Sequence, residues 1–197
     1  MMETIRTLLS SRTKNILHDP SYKKSAVLVP LYDINGDYHI IFTQRTEKVT
    51  HHKGQISFPG GRKDEADATL RETALRESHE EIGITPEDVS IIGELDDIKT
   101  LSSSYIISPF VGFIPYPYYF RSNVDEIERI IEVPLAFLLD QTNERQEVRE
   151  WNGEIVEHYY FDYNGDIIWG ATGRILKHFL EILAPLRSDL SSFFRAS

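Results

Sequence analysis

The fold of this 197-residue chain is decided at Gly54-Gln55-Ile56-Ser57-Phe58-Pro59-Gly60-Gly61, together with the downstream segment Arg76-Glu77-Ser78-His79-Glu80-Glu81-Ile82-Gly83. The first stretch predicts a short strand that ends at Pro59, because proline cannot donate a hydrogen bond to a sheet. Two glycines then allow a tight turn that can approach a ligand closely. The second stretch predicts a helix, and Gly83 stands where a glycine commonly ends one. A strand, a glycine turn and a helix therefore follow one another.

The helix is predicted over residues 67–82, with Asp67 as a candidate N-cap. Small and apolar side chains share one arc of this helix and are expected to face a sheet: Ala74, Leu75, Ser78 and Ile82. Glu77 and Glu81 lie four residues apart at the edge of that arc, and Glu80 lies slightly further round. Like charges at this spacing repel one another. Sharing one site should also raise the pKa of at least one of them.

Two interpretations of the three carboxylates are open. An acidic helix face in contact with solvent is the common one. The other is a site for a hard divalent cation, since Mg²⁺ typically binds one or two protein carboxylates together with substrate phosphate and water. The preceding glycine turn favours the second interpretation, because it can aim a backbone carbonyl at a metal ion held by Glu77 and Glu81.

The rest of the chain predicts a mixed α/β protein with much antiparallel pairing. Asn-Gly pairs at residues 35–36, 152–153 and 164–165 predict hairpins, because both central residues of such turns need positive φ. Strands are predicted at residues 26–32, interrupted by Pro30, and at 89–95, 106–114 and 129–133, with a loop at 116–125. Helical patterns cover residues 3–18, 134–139 and 171–183. The last of these covers the domain's own sheet or, with the N-terminal helix, buries a dimer face.

Composition excludes several classes of function. The chain carries 21 Lys and Arg against 31 Asp and Glu, a net charge of −10, which disfavours nucleic-acid and anionic-membrane partners. It has no cysteine, so disulfides and thiolate metal sites are absent. No apolar run approaches the roughly 18 residues that span a bilayer, and the N-terminus lacks the apolar core of a signal peptide. We expect a cytoplasmic protein, monomeric or homodimeric, with a small-molecule ligand.

The motif Gly61…Arg76-Glu77-x-x-Glu80-Glu81-x-Gly83 resembles the Nudix box, G-x5-E-x7-R-E-U-x-E-E-x-G-U, where U is aliphatic. It departs from that box in two ways. Counted from Gly61, Asp67 occupies the first glutamate position and Arg76 falls one residue late, and Ser78 replaces an aliphatic residue. The resemblance implies an α+β fold with a mixed sheet sandwiched between helices. It also implies one Nudix hydrolase domain over residues 1–197, with a helical extension at 1–22 and a core at about 25–183.

A second motif resembles the coenzyme A pyrophosphatase branch of this family, whose pattern is L-L-T-x-R-S-x3-R-x3-G-x-V-x-F-P-G-G. The chain reads Ile41-Phe42-Thr43-Gln44-Arg45-Thr46 followed by Gly54 to Gly61 at the same spacing. Thr50 occupies the second arginine position, which removes a cation. Shorter segments also match: residues 109–113, 133–135 and 168–172. The branch implies hydrolysis of coenzyme A or its acyl derivatives.

The resemblance assigns roles to the site residues. Glu77 and Glu81 are implied as principal Mg²⁺ or Mn²⁺ ligands, with the carbonyl of Gly61 as a further one, and Glu80 as a third carboxylate ligand or the base that acts on water. Arg76 is implied to pair with an acid at the helix start, Asp67 or Glu72, and so to orient the catalytic helix. A loop carboxylate, Glu126 or Glu128, is an alternative base.

Cations and aromatic residues supply candidates for substrate binding. Residues 44–63 carry five Lys and Arg against one Glu within an acidic chain, and Arg45 and Arg62 are the predicted phosphate ligands because guanidinium groups bind phosphate in a bidentate way. His51 and His52 are expected to shape the pocket or to hydrogen-bond phosphate rather than to bind metal. Four aromatic side chains could stack on a base or pack in a loop: Tyr116, Tyr118, Tyr119 and Phe120.

Three functions remain open at this point. The first is a metal-dependent diphosphatase acting on coenzyme A or its acyl esters, with adenosine 3′,5′-bisphosphate and (acyl-)4′-phosphopantetheine as products. The second is the same chemistry on NADH, ADP-ribose or a deoxynucleoside triphosphate. The third is a binding module without turnover, which predicts loss of the metal carboxylates, although all three are present.

Overall fold

The computed structural model describes residues 1–48, 53–151 and 153–187 as a mixed α+β fold. Its helices are α1 (Met2–Ser10), α2 (Leu70–Ile82), α3 (Leu135–Leu139) and α4 (Gly170–Ile182). Its strands are β1 (Lys23–Ile34), β2 (Asp37–Arg45), β3 (Ile56–Ser57), β4 (Gly60–Arg62), β5 (Ser90–Glu94), β6 (Ile98–Lys99), β7 (Tyr105–Phe113), β8 (Ile127–Pro134), β9 (Glu144–Trp151), β10 (Glu154–Tyr163) and β11 (Asp166–Ile168).

An eight-stranded mixed sheet forms the centre of the molecule. Its main path runs β3-β2-β1-β7-β5, with β4 paired to β1, β6 to β7 and β8 to β2. The β1–β7 pair is parallel and the other pairs are antiparallel. A separate three-stranded antiparallel sheet has the order β11-β10-β9.

Two apolar clusters sandwich the central sheet between helices. One includes Ala74 and Ile82 of α2 together with Leu28 and Ile41 of the sheet. The other joins α1, α3, α4 and the three-stranded sheet, and it contains the buried α4 residues Ile175, Leu176, Phe179 and Leu180. The expected sandwich is therefore confirmed, and the apolar face of α4 covers the domain's own core.

The predicted turns agree with the structure where it describes them. Asn35 and Gly36 have φ of 55° and 97° between β1 and β2, and Asn164 and Gly165 have φ of 55° and 90° between β10 and β11. The third Asn-Gly pair includes Asn152, which lies outside the described residues, but β9 and β10 pair on either side of it. The strands at β5, β7 and β8, the 116–125 loop and the short helix α3 also lie where they were predicted.

Three sequence predictions were wrong in extent. The N-terminal helix ends at Ser10 instead of continuing to residue 18, because the backbone of the next residues bonds to Asp96 and Asp97. Helix α2 begins at Leu70, because Thr69 caps it through a reciprocal capping box with Glu72. Strand β1 continues through Pro30, which lies between the stretch that pairs with β4 and the stretch that pairs with β2.

Helices α2 and α4 have 13 residues each. Within the described part of the chain, none of the helices has both the length and the apolar character needed to cross a bilayer.

Candidate active site

The glycine turn brings β4 against both β1 and helix α2. A Cβ atom at Gly60, where φ is +149°, would lie 2.4 Å from the carbonyl oxygen of Ala26, so glycine is required for β4 to pass β1. A Cβ atom at Gly61 would lie 2.5 Å from the carboxyl carbon of Glu77. The second glycine therefore leaves the space that the Glu77 carboxylate occupies.

Glu81 is the most deeply buried of the three glutamates, with 3% of the residue exposed. Its Oε1 accepts a hydrogen bond from Nη1 of Arg45 at 3.2 Å, and its Oε2 accepts one from the backbone N–H of Gly60 at 3.2 Å. Burial raises the pKa of Glu81 to about 8, and the two donors offset only part of that effect. The protein alone thus leaves the negative charge of Glu81 poorly compensated.

Arg76 links the beginning of the helix to the other two glutamates. Its Nε and Nη2 donate to the two oxygens of Asp67 at 2.9 and 3.0 Å. Nη2 also lies 3.0 Å from Glu77 Oε1, and Nη1 donates to Glu80 Oε2 at 3.0 Å. Arg76 therefore pairs with Asp67, one of the two acids expected for it. The other acid, Glu72, completes the capping box with Thr69.

Asp67 is held in place by more than Arg76. Its carboxylate also accepts hydrogen bonds from the N–H of Asp64 and from the hydroxyl of Thr73, both at 2.9 Å. The Arg76 guanidinium holds the pKa of Asp67 far below its ordinary value. The prediction that Asp67 caps α2 was wrong, because its side chain bonds to Arg76 and Thr69 supplies the cap.

Burial also raises the pKa of Glu77, although Arg76 opposes the shift. Glu80 is the most exposed of the three, with 54% of its side chain accessible. The loop residue Glu126 adds a fourth carboxylate, whose Oε2 lies 3.9 Å from Arg45 Nη2. Of the two loop acids predicted as alternative bases, Glu126 thus lies at the site, whereas Glu128 is an exposed residue of β8.

The donor set suits a hard divalent cation, which prefers oxygen ligands. Helix α2 supplies the carboxylates of Glu77, Glu80 and Glu81, and Gly61, whose carbonyl is the predicted further ligand, lies against the Glu77 carboxylate. Across residues 1–48, 53–151 and 153–187, no three His, Asp or Glu side chains already form a metal-ligand group. Arg45 occupies a Glu81 oxygen that a cation would take, so cation binding at Glu81 requires Arg45 to move, whereas Arg76 contacts one oxygen of Glu77 and one of Glu80.

The predicted phosphate ligands lie in different surroundings. Arg45 points at the carboxylate cluster, where it contacts Glu81. Arg62 is exposed, and its contribution to the site is its carbonyl oxygen, which accepts from Arg76 Nη2 at 3.2 Å. Thr50, His51 and His52 lie outside the described residues.

The aromatic residues of the 116–125 loop divide into two groups. The hydroxyl of Tyr118 accepts from the N–H of Thr85 at 2.8 Å and donates to Asp88, and its ring lies 5.3 Å from that of Phe120. These two side chains therefore pack the loop against the body. Tyr119 is 86% exposed, whereas Tyr116 is 51% exposed and its ring lies 5.3 Å from that of Tyr32.

The sequence analysis missed two contacts of the site. The Gly60 N–H was expected to form a turn but not to bond to Glu81, and Thr73 was not expected to bond to Asp67. A threonine six residues after an acid, one helical turn before Glu77, was the available signal for the second contact, and the first had none.

Comparisons with known proteins agree with this geometry. The model of the NUDIX domain family matches residues 22–164. The chain is 37% identical over 166 residues to "Nudix hydrolase 15, mitochondrial" of Arabidopsis thaliana, covering 78% of this chain and 56% of that protein. It is 33% identical over 158 residues to "Uncharacterized Nudix hydrolase NudL" of Yersinia pestis, covering 79% and 77%. The chain spans just over half the length of the Arabidopsis relative.

Solved structures share the fold at low sequence identity. A MutT/nudix family protein from Enterococcus faecalis superposes with a TM-score of 0.57 and 13% identity, over 96% of this chain and 74% of that one. A C. elegans Ap4A hydrolase superposes with a TM-score of 0.54 and 17% identity, over 83% and 98%. The family match covers most of the chain and the relatives exceed 30% identity, so this chain belongs to the Nudix hydrolase family.

Proposed function

We propose that this chain hydrolyses the diphosphate bond of coenzyme A or an acyl-coenzyme A, with Mg²⁺ or Mn²⁺, to give adenosine 3′,5′-bisphosphate and (acyl-)4′-phosphopantetheine. The observation that carries a cation-dependent diphosphatase is the buried, poorly compensated Glu81 carboxylate beside Glu77 and the glycine turn. The choice of coenzyme A within that class rests on the motif from Ile41 to Gly61, whose spacing matches the branch throughout.

Glu77, Glu81 and the Gly61 carbonyl would hold the cation, with Glu80 available as a third carboxylate. The bound ion would neutralise charge on the diphosphate oxygens and favour water as the nucleophile. The protein's own contribution to such a reaction is mainly positioning and electrostatics. Helix α2 fixes the backbones of Glu77 and Glu81, and the glycine turn lies against their carboxylates, which supports this role.

The remaining residues divide the work of orientation, proton transfer and substrate binding. Arg76 is a positioning residue, since it ties Asp67 at the helix start to Glu77 and Glu80. Glu80 is exposed enough to accept a proton from an attacking water, and Glu126 is the alternative base on the facing loop. Arg45 would bind substrate phosphate once its contact with Glu81 is released, and Arg62 would do so from the rim of the turn.

A second substrate class is favoured by one residue. Thr50 stands where the branch motif carries its second arginine, so a cation expected to bind coenzyme A is missing. NADH, ADP-ribose or a deoxynucleoside triphosphate would present the same diphosphate to the glutamates. A binding module without turnover is disfavoured, because all three glutamates are retained.

Product analysis against a substrate panel tests the proposal. The protein is incubated with Mg²⁺ or Mn²⁺ and with coenzyme A, acetyl-coenzyme A, NADH, ADP-ribose and dNTPs, and the products are separated by anion exchange. We expect kcat/KM for coenzyme A or its acyl ester to exceed the others by about tenfold or more. A higher kcat/KM for NADH or ADP-ribose would contradict coenzyme A as the substrate and favour the second substrate class. If the folded protein cleaves none of these compounds, a binding module without turnover is the interpretation that remains.

A further inference from the structure

Among the described residues, strand β9 is an edge strand of the three-stranded sheet. It spans eight residues, Glu144–Trp151, at the end of the order β11-β10-β9. Within the described residues its pairing partner is β10, which uses one side of the strand. The N–H and C=O groups on the other side form a row that a further strand can pair with.

Two apolar side chains are exposed next to this edge. Val148 of β9 is 62% exposed and Ile155 of β10 is 79% exposed. Val148 pairs with Glu157, so Val148 and Ile155 are diagonal neighbours on one face of the sheet. Further along the same face, Phe161 is fully buried in the core. The outer end of the hairpin therefore extends past the core and carries an uncovered apolar pair.

The opposite face of β9 carries alternating charges. Arg145, Glu147 and Arg149 follow one another at every second residue. Glu147 forms ion pairs with both arginines of its own strand, and Arg149 Nε donates to Glu147 Oε2 at 2.9 Å. An anion between two cations at this spacing gives the strand a charge pattern that a reversed copy of itself can match.

The geometry of a two-fold pair limits the possible registers. Two copies of β9 related by an axis perpendicular to the sheet pair in antiparallel fashion, with equivalent faces together. Each register is therefore centred on one residue, which faces itself. Centring on Glu147 places Glu147 against Glu147 and Arg145 against Arg149, which opposes like charges. Centring on Arg149 also places like charges together.

The register centred on Val148 has none of these conflicts. It places Glu147 opposite Arg149 of the second copy in both directions, and Gln146 opposite Glu150. The two Val148 side chains face one another, with Ile155 of each copy on the diagonal. A shorter register centred on Gln146 also pairs opposite charges, but it overlaps fewer residues of β9 and leaves Val148 opposite Glu144.

We infer that the β9 edge pairs with the β9 edge of a second copy of this chain, in an antiparallel register centred on Val148. The contact joins the two three-stranded sheets into one continuous six-stranded sheet. It uses none of the residues of the glycine turn or of α2. Its formation is therefore independent of the proposed diphosphatase activity, which should be equal in the dimer and in a monomeric variant.

Cysteine crosslinking tests the register directly, because the chain contains no cysteine of its own. In the full-length Val148→Cys variant, the two sulfurs of the dimer lie across the two-fold axis, within the Cα separation that a disulfide spans. We expect copper-phenanthroline to convert this variant to a covalent dimer in native buffer but not in urea. Ile155→Cys is the matched control, since its two copies lie three strands apart, and it should crosslink about tenfold more slowly or less.

Charge reversal provides a second test that does not depend on crosslinking. Glu147→Arg and Arg149→Glu should each be monomeric by light scattering, whereas the wild type has twice the 22.8 kDa chain mass. A mixture of the two variants should form a heterodimer, because each supplies the charge that the other needs. A monomeric wild type, a dimer whose Val148→Cys form does not crosslink, or reversal variants that remain dimeric when separate would each overturn the inference. Far-ultraviolet circular dichroism checks that the variants are folded.

Discussion

The two ends of α2 treat a buried carboxylate in opposite ways. At the N-terminal end, Asp67 receives two hydrogen bonds from Arg76 and others from Asp64 and Thr73, and its pKa is strongly lowered. At the C-terminal end, Glu81 has similarly little exposed surface, but it has one contact with Arg45 and one with Gly60, and desolvation raises its pKa to about 8. Both acids face an arginine, so the presence of a cation does not explain the difference.

The difference lies in the balance between desolvation and hydrogen bonding: desolvation is the largest influence on the pKa of Glu81, whereas the bond with Arg76 is the largest influence on that of Asp67. A buried ion is stable only when its partner and additional hydrogen bonds repay its desolvation. The Asp67 end meets this condition within the protein, and it serves as a clamp that fixes the helix. The Glu81 end does not meet it, which is the condition expected of a site whose full compensation comes from a bound cation. The stabilising ion pair and the proposed cation site therefore lie at opposite ends of one 13-residue helix.

Replacement of Glu81 by glutamine should have the largest effect on activity. Residues that only support a metal ligand typically contribute 10–100-fold, so Glu81→Gln should reduce kcat/KM by more than about 100-fold. The same change removes the cost of burying a charge. Without metal at pH 8, we therefore expect the variant to melt at a higher temperature than the wild type. Anion-exchange separation of the two organic products and thermal scanning measure the two effects.

The matched control for this variant is Glu65→Gln, which alters an exposed carboxylate of the loop before α2. It should leave both activity and melting temperature unchanged. Equal activity of Glu81→Gln and the wild type would contradict the assignment of Glu81 as a cation ligand.

Replacement of Asp67 by asparagine should instead have its largest effect on stability. Removing one partner of a buried ion pair leaves the other charge uncompensated, so Asp67→Asn should lose about 3 kcal/mol in urea unfolding. The folded-state pKa of Asp67 lies below its unfolded value, so its contribution is complete above about pH 4 and is lost as the pH falls. The difference between variant and wild type should therefore shrink in acid.

Asp64→Asn, in the same loop but exposed, serves as the control and should change the free energy of unfolding by less than about 0.5 kcal/mol. A loss of similar size in both variants would mean that the loop conformation, not the pairing with Arg76, accounts for the effect.

The pH dependence of metal-free stability should distinguish the two ends as well. Glu81 has a folded-state pKa of about 8 against 4.5 for the free side chain, so the folded protein holds its proton more tightly. Stability of the metal-free protein should fall as the pH rises between these values, and Mg²⁺ should stabilise it more at pH 8 than at pH 6. Thermal scans with and without Mg²⁺ at both pH values measure this, and a larger Mg²⁺ effect at pH 6 would contradict it.

The sequence predicted the local features of this helix better than its long-range contacts. Gly83 ends α2 in a left-handed conformation, and the glycine turn lies where the Pro59-Gly60-Gly61 segment placed it, because both depend on backbone freedom at single residues. The start of the helix was misplaced by three residues. Asp67 and Thr69 are both good N-cap residues, and only the position of Arg76 in the fold draws Asp67 away from the helix.

Sequence periodicity and motif spacing could not predict contacts between distant segments of the chain. Arg45 was predicted to bind phosphate, but its contact with Glu81, 36 residues away, depends on how β2 and α2 meet across β1. The N-terminal helix was overextended for a similar reason, since Asp96 and Asp97 bind the backbone at Asn15 and Leu17 across about 80 residues. Such bonds compete with helical ones only after the chain has folded.

Loss of the Thr69 cap should have the smallest effect on stability and activity, and it tests whether the Asp67 clamp alone fixes the glutamates. Thr69→Ala removes the side-chain oxygen that accepts from the Glu72 N–H and should cost about 1 kcal/mol of unfolding free energy. Thr85→Ala is the matched control, because Thr85 precedes a 3-10 turn without a side-chain cap bond and should cost less. Activity of Thr69→Ala should remain within about threefold of the wild type, since Arg76 still ties Asp67 to Glu77 and Glu80 and so holds the helix in place. If the capless variant instead loses as much activity as Glu81→Gln, the carboxylates depend on the cap for their position, and the clamp at Asp67 is not sufficient to fix them.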